Sequence, residues 1–329
     1  MRVPLPEYGG LLAYYLRPEW PKVTLLTVLL LASIGLQLLN PQILRSFIDT
    51  ALAGASIGSL VRLALLFIGI GVAGQVLTVG VTYVGQDVGW TTTNRLREDL
   101  ARHCLGLDPR FYHERTPGEL IERIDGDVTA LSNFFSQLVV RVFGSALLVV
   151  GTLAALYRED WRVGGVLSVF AVIALVVLSR ARNLAVPEQR AARQASAGLF
   201  GLLEERLAGI EDIRANGAGP HAMRRFHERM RELFETGRRA LLIRAITWLL
   251  TMGLFTIGIA LTLGMGAYLF MTGAITIGTV YLFFQYTQML ESPLEDMTNQ
   301  LQELQRATAS IQRVQELRQI RSKIPDGPG

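Results

Sequence analysis

The sequence AITWLLTMGLFTIGIALTLGMGAYLFMTGAITIGTVYLFFQYTQML, residues 245–290, contains no charged side chain. As one helix it would be about 69 Å long at ~1.5 Å per residue, roughly twice the thickness of a hydrocarbon core. It must therefore fold back on itself, and Thr272-Gly273 together with Gly278 supply the turn chemistry. The stretch predicts two membrane-spanning helices joined by a very short turn.

Four further apolar stretches are long enough to cross a bilayer, at about residues 23–44, 63–86, 137–157 and 163–179. Half of the 329 residues are hydrophobic, which is unusual for a soluble protein of this size. The sequence therefore predicts an all-α membrane protein with six transmembrane helices.

Arginine predicts the orientation of these spans. The spacer between spans two and three carries six arginines, and the spacer between spans four and five carries thirteen, whereas residues 46–58 and 272–276 have none. Basic segments are retained on the cytoplasmic side. The long spacers and both termini are therefore predicted to be cytoplasmic, in a multi-pass protein of the cell membrane. A net charge of +4 could also indicate nucleic-acid binding, but no nucleic-acid-binding motif is present. The basic cytoplasmic segments account for this charge instead.

The two spacers, at about residues 87–136 and 180–244, are predicted to be helical extensions. Residues 60–106 read as one helix of about 70 Å, far longer than a bilayer requires. Pro109 and Pro117-Gly118 interrupt the first extension, and residues 216–220 (NGAGP) interrupt the second. We expect two hairpins, each with a short transverse piece at its tip.

The two ends of the chain carry their own patterns. Residues 1–22 predict an amphipathic helix at the membrane interface, with aromatic side chains such as Tyr14 and Trp20, ended by Pro18 and Pro21. After span six, apolar residues recur at helical spacing from Leu294 to Leu317. The main domain is thus predicted over residues 23–320, and residues 321–329 resemble the start of a linker to a missing domain.

Polar side chains within the spans have two interpretations. They could line a cavity for an amphiphile, or form hydrogen bonds between helices; both stay open for Gln37, Asn40, Gln42, Gln75, Thr78, Tyr83 and Tyr286. Glu291, just before Pro293, is the charged residue most suited to a cavity wall. The residues predicted to line the substrate cavity are Gln285, Gln288, Met289 and Glu291.

Two arginines near the spans have simpler explanations. Arg45 precedes Asp49 by four residues, which allows an ion pair on one helix face. Arg141 lies about one turn inside the boundary of span three, where its side chain can reach the interface.

The sequence predicts neither a catalytic nor a metal site. Its four histidines lack metal-ligand spacing, its single cysteine excludes an intramolecular disulfide, and no Ser-His-Asp or paired-carboxylate arrangement is evident. No G-x-x-x-x-G-K-[ST] phosphate-binding loop is present, so residues 1–329 alone are not expected to hydrolyse ATP.

Several segments in order resemble the transmembrane domain of ABC exporters. Residues 111–128 (FYHERTPGELIERIDGDV) have that family's aromatic pair, polar turn, Gly-x-Leu, arginine and Asp-Val. Residues 204–215 (EERLAGIEDIRA), 273–280 (GAITIGTV) and 291–294 (ESPL) resemble later segments, and Trp161-Arg162 fits the opening of span four. The resemblance covers essentially the whole chain.

The resemblance implies a domain-swapped dimer, formed with a second copy or a homologous half-transporter, whose extensions reach nucleotide-binding domains that hold ATP and Mg. It implies that the first coupling helix comprises His113, Glu114, Arg115, Thr116, Pro117, Gly118 and Glu119. It implies that the second comprises Gly217, Ala218, Gly219, Pro220, His221, Ala222, Met223, Arg224, Arg225 and Phe226.

The missing nucleotide-binding domain departs from the family pattern, and we expect that residues 1–329 were excised from a longer exporter. The chain is then predicted to move an amphipathic or lipid-like compound outward, using ATP hydrolysed on a separate or removed domain. Two alternatives stay open: an ion-coupled secondary transporter, against which no inverted repeat or buried mid-span charge pair is seen, and a membrane receptor or scaffold without transport.

Overall fold

A computed structural model describes residues 14–113, 116–133 and 141–322, and these are almost entirely helical. A 3-10 turn at Arg17–Glu19 precedes the first long helix, and a π-helical turn occupies Glu122–Gly126. The α-helices are α1 (Trp20–Leu52), α2 (Ile57–Leu105), α3 (Pro109–His113), α4 (Pro117–Ile121), α5 (Asp127–Asn133), α6 (Gly144–Glu159), α7 (Trp161–Ala208), α8 (Ile210–Ala215), α9 (Gly219–Met271), α10 (Ile277–Met289) and α11 (Glu291–Gln319).

Five helices in the described ranges are long and apolar enough to cross a membrane. They confirm the first five predicted spans, although the predicted start of span three at residue 137 lies outside the described residues. The helices are Tyr14–Leu52, Ile57–Leu105, Arg141–Glu159, Trp161–Ala208 and Gly219–Met271.

The sixth predicted span corresponds to α10, a helix of 13 residues that is shorter than the five above, and α11 follows it after a break at Leu290. Pro293 has no N–H to donate to the carbonyl of Met289, so the regular ladder is interrupted there. The amide of Leu290 instead donates to Thr287, three residues back, at 3.2 Å, and that of Leu294 to Leu290 at 3.2 Å. The sequence showed Pro293 but we did not predict this break.

The predicted turn between spans five and six is confirmed. α9 ends at Met271 and α10 begins at Ile277. Gly273 has a φ of +72°, a left-handed conformation that favours glycine. Thr276 caps α10, because its side chain accepts a hydrogen bond from the amide of Thr279 at 3.2 Å.

The start of the chain differs from expectation. We predicted that Pro18 and Pro21 end an interfacial helix, yet the helical path continues from Tyr14 to Leu52. Pro21 lies in the first turn of α1, where the missing N–H costs nothing because that group would have no partner within the helix. Residues 1–13 of the predicted interfacial segment lie outside the described residues.

Both helical extensions are interrupted where the sequence predicted. The short transverse helix predicted at the tip of the second extension is not present as a separate helix. α2 confirms the long first extension, and Gly217, with a φ of +62°, turns the chain in the second. No separate transverse helix follows Gly217, because Gly219–Phe226 is the beginning of α9. Pro220 is tolerated in the first turn of that helix. The short helix at this tip is α8, which precedes the turn.

The chain forms two compact units, one from Met1–Ser168 with Thr262–Gly329 and the other from Val169–Leu261. In the second unit, the rings of Phe170 and Phe255 pack edge to face with centroids 6.0 Å apart. A Cβ on Gly258 would come within 2.6 Å of the Phe170 ring. This glycine marks close helix packing, as the sequence predicted.

Candidate functional site

Two adjoining cavities lie in the first unit between α1, α2 and the helices on either side of the break at Leu290. The first has a volume of about 360 Å³, and the second, which also reaches α6, about 540 Å³. Gln37, Thr78 and Met289 line both cavities. These volumes are in the range of sites for small molecules, which combine apolar walls with a few polar groups.

Small residues and a helix irregularity create the space of the first cavity. A Cβ on Gly71 would meet nothing within 4 Å, so α2 leaves a gap at this point. Pro41 lies within α1, where it cannot donate to the carbonyl of Gln37. Both residues line the first cavity, whose apolar wall includes Leu36, Leu44, Phe67 and Ile70.

Asn40 lies in the wall of the first cavity and carries a buried oxygen that its described neighbours leave without a hydrogen bond. Its Oδ1 is buried and has no hydrogen-bond partner among the described residues, and the residue lines the cavity wall. Leaving a buried polar atom unsatisfied costs about 1–3 kcal/mol. The Asn40 amide is therefore a polar group in this wall whose oxygen is not satisfied by the described side chains around it.

The structure brings three of the four predicted cavity residues together. Gln285 and Met289 line the first cavity, and Gln288 and Met289 line the second. Glu291 lines neither of them. It lies beyond the break at Leu290, at the first position of α11.

Both interpretations of the polar span residues are represented, and Thr78 fits both, because it lines the cavities and its Oγ1 lies 3.3 Å from Ser33 Oγ of α1. Gln37, Asn40, Gln75 and Thr78 line the first cavity. In contrast, Gln42 Nε2 donates to the hydroxyl of Tyr286 at 3.1 Å, and that hydroxyl donates to the carbonyl of Leu38 at 2.9 Å.

The structure adds detail on three other polar side chains. Tyr83 is 74% exposed in this chain. Arg141 and Asp296 both line the second cavity. From sequence, Arg141 was explained only by its position near the boundary of span three. Asp296 was not singled out, because it follows other acidic residues at the start of α11.

Asp49 joins two distant segments at the short-turn end, which we define as the end of the first unit that carries residues 53–56, 160 and 272–276. Thr276 Oγ1 donates to Asp49 Oδ2 at 2.7 Å, and the backbone amide of Gly278 donates to Oδ1 at 2.9 Å. The predicted Arg45–Asp49 ion pair is confirmed at 3.8 Å.

Arg45 makes its shorter contact with a residue that sequence reasoning missed. Its guanidinium lies 2.5 Å from Glu159 Oε2 at the end of α6. Gln42 Nε2 also donates to Glu159 Oε1 at 3.2 Å. Glu159 lies 114 residues beyond Arg45, so no local spacing pointed to this pair.

Gly278 is required for the close approach of α1 to α10. A Cβ at this position would lie 2.6 Å from the Arg45 carbonyl oxygen and 2.6 Å from Asp49 Oδ1. The sequence identified Gly278 as a turn residue, but its structural role is to leave room for this contact.

At the other end of the first unit, the beginning of the chain packs against α2, α5 and α11. We call the buried residues there the extension cluster: Tyr15, Leu96, Leu100, Cys104, Val128, Leu131, Ile311, Val314 and Leu317. The Tyr15 hydroxyl donates to Asp99 at 2.6 Å. Burial raises the pKa of the Cys104 thiol.

An ion pair borders the extension cluster. Arg313 Nε donates to both carboxylate oxygens of Asp127, at 3.1 and 2.8 Å, and its terminal nitrogen also contacts this carboxylate. Asp127 is only 3% exposed. It is the aspartate of the Asp-Val pair in the motif at residues 111–128, so that motif is tied directly to α11.

Residues 23–294 match the family model described as the ABC transporter transmembrane region. The chain belongs to this family. The match covers both cavities up to Pro293 and the whole of the short-turn end.

Curated relatives carry the same region within longer chains. The chain is 22% identical over 299 residues to the multidrug resistance-like ATP-binding protein MdlB of Buchnera aphidicola subsp. Baizongia pistaciae, covering 88% of this chain and 50% of the relative. It is 24% identical over 328 residues to the probable multidrug resistance ABC transporter ATP-binding/permease protein YheI of Bacillus subtilis, covering 96% and 54%.

A third relative gives the same proportions. The multidrug resistance ABC transporter ATP-binding and permease protein of Lactococcus lactis is 21% identical over 285 residues, covering 86% of this chain and 47% of the relative. The chain thus spans about half the length of the curated relatives it matches.

The first set of predicted coupling residues in this ABC transporter transmembrane region follows α3. His113 ends α3, and Glu114 and Arg115 lie outside the described residues. Thr116 caps α4 by accepting a hydrogen bond from the amide of Glu119 at 3.3 Å, and α4 includes Pro117, Gly118 and Glu119. Glu119 pairs with Arg123 at 3.0 Å.

The second set lies at the turn between α8 and α9. Gly217 and Ala218 form the turn, and Gly219–Phe226 occupies the first two turns of α9. Met223 is 51% exposed, and most of this stretch is open to contact. The coupling role of both sets remains a prediction.

The histidines do not form a metal centre in the part of the chain that is described. No group of three or more His, Cys, Asp or Glu side chains there could hold a metal ion. His103 instead places Nε2 3.1 Å from the carbonyl oxygen of Leu317 in α11.

Proposed function

We propose that this chain is the substrate-translocating part of an ATP-driven exporter. It would move an amphipathic or lipid-like compound outward across the cell membrane. The observation that carries the proposal is the pair of adjoining cavities, whose walls combine apolar side chains with polar ones such as Asn40 and Gln75. The family of the chain and the multidrug names of its relatives support this assignment.

The composition of the cavities favours an amphipathic cargo. Leu36, Phe67 and Ile70 would contact an apolar body, while Asn40 and Gln75 would orient one polar group. Arg141 and Asp296 in the second cavity bring opposite charges to its wall. Cargo with a small polar or zwitterionic head therefore fits better than a purely ionic solute.

ATP and Mg would bind to nucleotide-binding domains, either on the same polypeptide or on a separate subunit. The relatives' names combine ATP-binding and permease functions, which supports this partnership. We further propose that the chain works as a dimer, with itself or a homologous half, and that both termini are cytoplasmic. The arginine-rich extensions support the orientation.

The coupling segments would transmit movement from the nucleotide-binding domains. Long helices such as α2 and α9 transmit displacement better than loops do. Residues 113–119 and 217–226 would form the contacts, and their exposed side chains in the described ranges support this role. Substitution of several of them in a complete transporter should uncouple transport from ATP hydrolysis.

The test is ATP-driven accumulation of a fluorescent zwitterionic amphiphile in proteoliposomes. The sample is the longest polypeptide that contains residues 1–329, with a nucleotide-binding subunit added if that polypeptide lacks one. Gly71→Leu should fill the first cavity without a clash, because no atom lies within 4 Å of the position that a Cβ would occupy on Gly71. We expect transport to fall by about tenfold, as for a loss of ~1.4 kcal/mol of binding.

Gly69→Leu is the matched control. Gly69 also has nothing within 4 Å, lies two residues away on α2 and does not line either cavity. Transport by this variant should stay near that of the unmodified protein. Equal effects of the two substitutions would contradict the cavity assignment, and transport that follows an ion gradient without ATP would contradict the exporter assignment.

A further inference from the structure

A third cavity in the first unit lies beside the start of the chain and is separate from the two cavities described above. Its volume is about 610 Å³. Tyr14 and Arg17 line one side, and Arg95, Glu98 and Asp99 of α2 line the other. The two sides are tied together by the Tyr15 hydroxyl, which donates to Asp99 Oδ2.

This cavity presents positive and negative charges side by side. Arg17 is exposed and makes no hydrogen bond or ion pair with the described residues. Arg95 contacts Glu19 at 2.8 Å through one terminal nitrogen, and its side chain remains 44% exposed. Glu98 contacts Arg102 at 2.8 Å and is 67% exposed. Both signs of charge are therefore accessible to a bound group.

The cavity lies just beyond the expected membrane surface, with long side chains that can reach back to the headgroup layer. Lys22 and Asp87, 2.6 Å apart, form the first charged pair beyond the apolar parts of α1 and α2. Arg95 lies eight residues further, about 12 Å along a helix, and arginine side chains extend back towards the interface. The headgroup layer is about 5–8 Å thick on each side of the hydrocarbon core.

Exposed apolar side chains lead from this cavity along α1. Trp20 is 67% exposed, Leu25 49% and Val28 57%. Trp90 on α2 is 57% exposed as well. Tryptophan is enriched at the level of lipid headgroups, and the apolar residues beyond it suit acyl chains.

We propose that this cavity binds the headgroup of a zwitterionic aminophospholipid of phosphatidylethanolamine type from the adjacent leaflet. Arg17 and Arg95 bind the phosphate, while Glu98 and Asp99 accept hydrogen bonds from the primary ammonium. The acyl chains lie along Leu25 and Val28. This lipid is a bound structural ligand and not the cargo, so the inference goes beyond the proposed function.

The charge pattern distinguishes this headgroup from other lipids. Phosphatidylglycerol has no cation to offset Glu98 and Asp99, which would repel its net negative charge. Phosphatidylcholine has a quaternary ammonium without N–H groups, so it cannot donate hydrogen bonds to the two carboxylates.

The test is native mass spectrometry of the full 329-residue chain from nanodiscs with equal amounts of phosphatidylethanolamine, phosphatidylcholine and phosphatidylglycerol. We expect preferential retention of one phosphatidylethanolamine per chain. Arg17→Gln should lower this retention by about five- to tenfold, the effect of losing one charge-assisted hydrogen bond at a partly exposed site. The control is Arg238→Gln, which removes an exposed arginine of α9 and should change nothing.

Glu98→Gln provides a second, independent readout. Removing this carboxylate should shift the preference from phosphatidylethanolamine towards phosphatidylglycerol. Arg17→Gln and Glu98→Gln both replace exposed side chains, so the fold should persist. Slow maleimide labelling of the buried Cys104 thiol in both variants would verify this. Equal retention by Arg17→Gln and Arg238→Gln, or a preference of the unmodified chain for phosphatidylglycerol, would overturn the proposal.

Discussion

The two ends of the first unit are held together by different forces. At the short-turn end, α1, α6 and α10 meet through polar contacts: Arg45 with Glu159, and Asp49 with Thr276 and Gly278. At the opposite end, the extension cluster buries apolar residues from the chain start, α2, α5 and α11. The short-turn end joins distant segments by directed polar contacts, although it also buries Leu156 and Leu282, whereas the opposite end is dominated by a continuous apolar cluster with one ion pair at its border.

This difference implies different costs of separation. Polar groups that part can form hydrogen bonds with water instead, so their net contribution is small. Buried apolar side chains lose their packing and gain no replacement. We therefore expect the polar contacts of the short-turn end to separate more readily than the extension cluster, which should move as one body. The two cavities adjoin the helices that the polar contacts connect.

The largest effect is expected in the extension cluster. Leu100 is fully buried there, and Leu100→Ala should cost about 2–5 kcal/mol through lost contacts and a residual cavity. Cys104 is the only cysteine in the sequence and is buried in the same cluster. The rate of maleimide labelling of Cys104 therefore reports opening of the cluster, and we expect it to rise by at least about tenfold.

Leu105→Ala is the control for this substitution. Leu105 ends the same helix but is 83% exposed, so its truncation should change stability by less than about 0.5 kcal/mol. If both variants label Cys104 equally fast, the cluster is not the packed core described above.

A smaller loss is expected from Arg313→Gln. The substitution leaves the carboxylate of Asp127 buried without its cation, and we estimate about 2–3 kcal/mol because Arg313 itself is 47% exposed. Arg313→Lys keeps the charge but not the paired guanidinium geometry, so it should recover only part of the loss. Thermal unfolding in detergent measures the difference.

The control is Arg321→Gln, which removes an exposed arginine near the end of α11. Its unfolding midpoint should match that of the unmodified chain. If Arg313→Lys behaves like the unmodified chain, charge alone holds this contact and the paired geometry is unimportant.

At the short-turn end, Gly278→Ala should have a moderate effect. The new Cβ would meet the backbone of Arg45 and the carboxylate of Asp49, and relief of this overlap should cost about 1–2 kcal/mol. Gly264→Ala in α9 is the matched control, since no atom lies within 4 Å of the position that its Cβ would occupy. Alanine there should be neutral or stabilising. Equal unfolding midpoints for the two variants would show that α1 and α10 do not pack this closely.

Local features of the fold were predictable from sequence. The first five spans followed from apolar length, and the turn at Thr272-Gly273 followed from turn chemistry. The Arg45–Asp49 pair followed from helical spacing. Each of these signals depends on residues that are close in sequence, and a regular helix fixes their relative positions.

Features that join distant segments could not be predicted in this way. Asp49 and Gly278 are separated by 229 residues, so only the packing of α1 against α10 brings them together. The sequence also predicted that Glu291 lines a cavity with Gln285, Gln288 and Met289, whereas it lines neither of the two cavities described here. Sequence alone does not reveal which face of a helix turns towards its neighbours.

The smallest effect is expected for the Arg45–Glu159 pair, which tests the comparison most sharply. The side chains are 28% and 18% exposed, and a double-mutant cycle of Arg45→Gln and Glu159→Gln should give a coupling of about 0.5–1 kcal/mol. Unfolding midpoints at low and high salt measure it, and salt should reduce the coupling because water reaches both groups. A salt-independent coupling of several kcal/mol would mean that this end is locked as firmly as the extension cluster. In that case, the two ends would differ in chemistry but not in the cost of separating them.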